Sequence, residues 1–91
     1  MNQEIQNRKI DIGFVVRQKM NEHGTTIAWL AKQLNCDRSN LRKQLYNLHI
    51  YPELLLKISI ALKTDFFAFY SDFYRQITES KHDDINKYLM G

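Results

Sequence analysis

The sequence predicts an all-α protein, a compact five-helix bundle around one core. Three observations carry that expectation. Apolar residues recur at spacings of three and four through most of the chain. The alternation of β-branched and polar residues that marks strands is absent, and Gly and Pro number only three and one in 91 residues, with Gly24 and Pro52 standing where helices stop and start. With 44% hydrophobic residues over this length, the chain can bury a single core, so one domain is expected.

The first helix is read over residues 11–22, where Ile12, Val15, Val16 and Met20 form one stripe, and it ends at His23 and Gly24, a glycine being able to enter the left-handed region that closes a helix. Thr25 or Thr26 then offers a capping hydroxyl to a second helix, in which Ile27, Leu30, Ala31 and Leu34 repeat at helical spacing. Asn35 and Cys36 interrupt the pattern. Asp37 is a good N-cap for a third helix over 38–46, whose buried side is Leu41 and Leu45. Pro52 suits the first turn of a fourth helix, 52–63, with Leu54, Leu55, Ile58, Ala61 and Leu62. Thr64 and Asp65 restart a fifth, rich in rings from Phe66 to Tyr74. Those rings surround the helix, so they are expected to serve both the core and a dimer contact. Residues 1–9 read as a flexible arm, 10–74 as the folded domain, and 75–91 as a polar tail that is mobile around Lys81, His82, Asp83 and Asp84.

The net charge of +3 is unevenly spread. Residues 8–49 hold eight basic side chains against three acidic ones, whereas residues 50–91 hold five against six. Such asymmetry fits a polyanion-binding half joined to a half with another task. The lone Cys36 can form no internal disulfide, and no Cys/His spacing suits zinc, so neither metal nor cofactor is expected. His23, His49 and His82 are dispersed, and no phosphate-cradling glycine loop or nucleophile with a paired base stands out, so catalysis is not expected. No apolar run approaches a signal peptide or a membrane span, and a cytoplasmic, soluble protein without a small-molecule substrate is the expectation.

The informative stretch is residues 26–46, a short helix, a tight turn and a second helix beginning with Arg38, Ser39 and Asn40. Where two such helices cross, the first must present a small residue and the second an aliphatic anchor; Ala31 and Leu41 supply them. The pattern Ile27-x-x-Leu30-Ala31-x-x-Leu34-x-Cys36-Asp37-Arg38-x-x-Leu41, followed by the string from Glu53 to Leu62, resembles the phage repressor and Cro-like (XRE-type) helix-turn-helix domains over residues 12–69. That resemblance implies a bundle of the lambda repressor-like DNA-binding type. It also implies a cytoplasmic transcriptional regulator, with base-reading positions at Arg38 and Ser39 and, one turn later, Arg42 and Lys43. The chain departs from the family at Asn35, where glycine is frequent, at Ile27, where several phage repressors carry a phosphate-touching glutamine, and at Gln44, a position more often aliphatic.

Arg38 can donate two parallel hydrogen bonds to one guanine, and Arg42 and Lys43 can read bases or neutralise phosphates. Thr26, Ser39 and Asn40 are short donors suited to phosphates or nearby base edges. So few base contacts favour a homodimer on two half-sites of double-stranded DNA, ~34 Å apart. Two other readings stand beside this one. The same fold can serve as a protein-interaction module, antitoxin-like or accessory to a mobile element, using the aromatic C-terminal half, or the basic residues can simply solvate a helix face. Cys36 is expected to be a small buried residue of the turn, and Trp29 can pack on the first helix, lie along DNA or join a dimer contact.

Overall fold

The computed structural model describes residues 10–47, 49–79 and 82–90; within them lie six helices and no strand. They are α1 (Ile12–His23), α2 (Ile27–Leu34), α3 (Arg38–Leu45), α4 (Pro52–Leu62), α5 (Phe67–Thr78) and α6 (His82–Met90). Among the described residues no helix is long and apolar enough to cross a membrane, and no cluster of three His, Cys, Asp or Glu side chains is placed to hold a metal ion.

The starts of α2, α3 and α4 follow the residues expected there, whereas Asp11, read from the sequence as the first residue of α1, caps that helix instead. Asp11, Thr26 and Asp37 each accept a hydrogen bond from the backbone N–H three residues on, at 3.1, 3.0 and 2.9 Å, which satisfies one of the unpaired donors of a first turn. Pro52 opens α4, where a missing N–H costs nothing. Three helix ends share one device. Gly24, Asn35 and Lys63 all adopt left-handed φ, at 71°, 54° and 53°. In each case the following N–H turns back to a carbonyl of the last turn, Thr25 to Met20, Cys36 to Ala31 and Thr64 to Ser59, at 2.9 to 3.0 Å. These closures let the chain leave one helix and enter the next within a few residues.

The chain divides into two compact units. The first, Asp11–Phe66, contains α1 to α4. Its core is built from Ile12, Val16 and Met20 of α1, Leu30 and Ala31 of α2, Leu41 and Leu45 of α3, and Leu55, Ile58 and Leu62 of α4, closed by Phe66. Helix α2 packs on both α3 and α4, and α1 packs on α3. The buried Ser59 hydroxyl accepts a hydrogen bond from the Phe66 N–H, so the only polar side chain among the described buried residues has a partner.

The second unit comprises Ile10 and the described residues from Phe67 onward. Here α5 and α6 pack together, with the rings of Phe73 and Tyr88 edge to face at 5.4 Å. Two expectations are corrected. Among the described residues there are six helices where five were expected, and four of them lie in one unit and two in the other. The stretch from residue 75 is not a polar tail: Ile77 is buried one turn after Phe73 and so carries α5 on to Thr78, while Ile85, Tyr88 and Leu89 form a second apolar stripe that makes α6 helical. His82, expected in a mobile stretch, opens that helix. Residues 1–9 and Lys81 lie outside the described residues.

Gly13 sets a close backbone approach in the first unit. It is buried in α1, and a methyl group at its Cα would overlap the Leu45 carbonyl oxygen and come within 2.7 Å of that of Asn47. Both obstacles are backbone and cannot rotate away. Gly13→Ala, which raises helix propensity, is therefore expected to lower stability by ~1 to 3 kcal/mol in chemical denaturation. Lys63→Gly has the opposite sign. It relieves a left-handed lysine, and a gain of ~0.5 to 1 kcal/mol is expected in the same assay.

Candidate nucleic-acid interface

The α2–α3 pair is assembled from local signals. Thr26 starts α2, and Asn35 ends it in the left-handed region that asparagine enters more easily than most residues, in place of the more usual glycine. Asp37 starts α3 only three residues after α2 has ended. So short a link forces the two helices to cross, and Ala31 and Leu41, both buried, lie in the contacting pair as expected. Cys36 is corrected from buried to exposed. Its N–H does the structural work by bonding to Ala31, which leaves the thiol side chain outside the packing.

Helix α3 separates its faces cleanly. Leu41 and Leu45, one turn apart, are buried, whereas Arg38, Ser39, Asn40, Arg42 and Lys43 are all exposed. Arg38 and Arg42 form one outward stripe, and Ser39 and Lys43 form the next. No acidic residue lies on the helix. Among the described residues, Arg38, Arg42 and Lys43 make no salt bridge and no side-chain hydrogen bond, so their donors face solvent. Asn40 stands apart from them. With Gln44, Tyr51 and Lys57 it lines a small recess of about 100 Å3 between α3 and α4, on the flank of the cationic stripes. Thr26 caps α2 through its oxygen and retains its O–H as a donor at the start of that helix.

What holds α3 in place is not evident from α3 itself. Arg17, half-buried on α1, donates through Nε to the Leu45 carbonyl at 3.0 Å, capping the carbonyl end of α3 with a positive charge where the helix dipole favours one. Its guanidinium lies 4.1 Å from the centre of the Tyr46 ring and 5.7 Å from that of Phe14. The chain matches no family model, no curated protein and no solved structure. The reading of the site therefore rests on its geometry.

That geometry offers a rigid, cationic helix face with short hydroxyl and amide donors beside it. Such a face can neutralise phosphates and donate to base edges. Five of the six residues singled out in the sequence, Arg38, Ser39, Asn40, Arg42 and Lys43, come together on α3, and Thr26 lies apart at the start of α2. Gly13, Arg17 and Tyr46 were not singled out. A glycine inside an otherwise good helix was the available signal for the first, since a residue that weakens a helix is retained where another backbone passes close. No sequence signal links Arg17 to Leu45, which is 28 residues away.

Arg17→Ala removes a charge-assisted hydrogen bond and two ring contacts, and a loss of ~2 kcal/mol is expected in thermal or urea unfolding. Arg17→Lys keeps the charge but not the planar fork, and it is expected to recover less than half of that loss.

Proposed function

We propose that this chain binds double-stranded DNA with α3 in the major groove and acts as a sequence-specific transcriptional regulator. One observation carries the reading. The exposed side of α3 gathers Arg38, Arg42 and Lys43, unpaired among the described residues, while its other side is anchored by Leu41 and Leu45. A helix of this width fits the major groove, with its N-terminal residues nearest the base edges and α2 crossing the backbone. In this reading Arg38 and Ser39 read bases, Arg42 and Lys43 divide between bases and phosphates, and Thr26 and Asn40 donate to the backbone. The resemblance of residues 12–69 to phage repressor and Cro-like domains supports the same assignment, and a lambda repressor-like fold is part of the proposal. Too few base contacts come from one copy to find a single genomic site, so a homodimer on two half-sites completes the proposal.

A second reading, a protein-interaction module on the same fold, is favoured by the apolar surface of α5 and α6, where Tyr74, Leu89 and Met90 are largely exposed. The two readings part on sequence preference. Selection of bound duplexes from a random pool is expected to return a palindromic consensus. Arg38→Ala is expected to relax one base position per half-site at a cost of ~1 to 3 kcal/mol. Arg42→Ala is expected to weaken all duplexes alike and to reduce the salt slope of binding by about one ion. Recovery of no consensus, with affinity governed by salt alone, removes the regulator reading.

A further inference from the structure

A pocket of about 220 Å3 opens between α1, the entry to α2 and the residue that follows α3. Arg17, Met20 and Asn21 of α1 line it, with Thr25, Ile27 and Tyr46. All six belong to the first unit, so the pocket is formed within that unit alone. It is separate from the cationic stripes of α3, since Arg38, Arg42 and Lys43 are not among its walls.

Two of the lining residues hold donors that the described residues leave unused. Arg17 is half-buried and charged, yet among the described residues no carboxylate pairs with it; its Nε is committed to the Leu45 carbonyl, and the far end of the guanidinium keeps its N–H groups. A partly desolvated cation without a counter-ion favours an anion beside it. The Asn21 side-chain amide likewise makes no hydrogen bond among the described residues. Thr25 differs, because its O–H is spent on the Met20 carbonyl at 3.3 Å. No acidic residue lines the pocket, and Glu22, next in the chain, is paired with Lys19 at 3.3 Å. The remaining walls are apolar: Met20, Ile27 and the ring of Tyr46.

We propose that this pocket binds a small organic carboxylate, its acid group on the Arg17 guanidinium and the Asn21 amide, and its apolar body against Met20, Ile27 and Tyr46. The end of a guanidinium presents two parallel N–H donors that match the two oxygens of a carboxylate. Inorganic phosphate also fits such a fork, but it leaves the apolar walls unused. The volume lies below the ~300 Å3 at which pockets for drug-sized ligands begin, so the ligand is about as large as benzoate. Because the same guanidinium caps α3 through Leu45, an occupant touches the residue that holds the end of that helix. The assignment stands without the DNA reading.

The probe is sodium benzoate, titrated into the full-length protein without DNA and followed by amide NMR, with sodium chloride and sodium phosphate at matched ionic strength alongside. Saturable movement of the Asn21 side-chain amide and of the Tyr46 backbone N–H is expected, with a dissociation constant in the millimolar range that so small a ligand reaches. Asn21→Asp, at an exposed position, sets a carboxylate against that of the ligand. It is expected to raise the dissociation constant at least about tenfold while far-ultraviolet circular dichroism retains its helicity. Failure of benzoate to saturate overturns the proposal, as does movement that chloride reproduces or binding that survives Asn21→Asp. Phosphate binding more tightly than benzoate gives the pocket to a phosphate group, free or in a duplex backbone, and overturns it equally. The outcomes separate from those of duplex selection: a protein that binds benzoate and selects no duplex leaves the pocket standing, and one that returns a base consensus and ignores benzoate leaves only the DNA reading.

Discussion

The close seating of α1 on the carbonyl end of α3 is the constraint on which the candidate site depends. Gly13 lets the two backbones approach until the carbonyls of Leu45 and Asn47 occupy the space of a side chain. Arg17, one turn further along α1, then binds the Leu45 carbonyl and stacks on Tyr46. Steric room and a charged cap act at the same point. A short helix of eight residues is marginal in isolation, so its direction is set by what holds its end. The exposed cations of α3 can be presented as a fixed array because the opposite end and the buried face are both restrained.

The connections make that restraint possible. Three helices close with a left-handed residue and a returning N–H, at Gly24, Asn35 and Lys63, so little chain is lost between elements. Across the α2–α3 link the closure at Asn35 and the cap at Asp37 are separated by a single residue. Loop entropy there is small, and the crossing of the two helices follows from covalent geometry as much as from packing. The side chain of Cys36 is left outside because the backbone of that residue supplies the hydrogen bond.

The two units differ in how they satisfy their apolar residues. In the first, every helix contributes to a shared interior. In the second, α5 and α6 bury little and leave an uncharged groove between them. Aromatic residues that look alike in sequence thus meet different fates: Phe66 is fully buried in the four-helix unit, Phe73 packs against Tyr88, and Tyr74 faces outward.

Much of the architecture was legible along the chain because its causes are local. Capping residues, helical periodicity, Pro52 and the left-handed turn at Gly24 are each read within a few neighbours, and the outward placement of Arg38, Ser39, Arg42 and Lys43 follows from the inward placement of Leu41 and Leu45. The last turn of α5 and the whole of α6 are not legible in the sequence because their stripes are short and interleaved with polar residues, so the pattern is weak until Phe73 and Tyr88 are seen in contact. By itself the sequence determined the all-helical class, the first four helices and the cationic face of α3. Only the tertiary structure decided that Arg17 and Gly13 hold that helix, that Cys36 lies outside, and that the last two helices form a separate unit. Those outcomes depend on residues distant in the chain meeting in space, and periodicity carries no information about which distant surfaces meet.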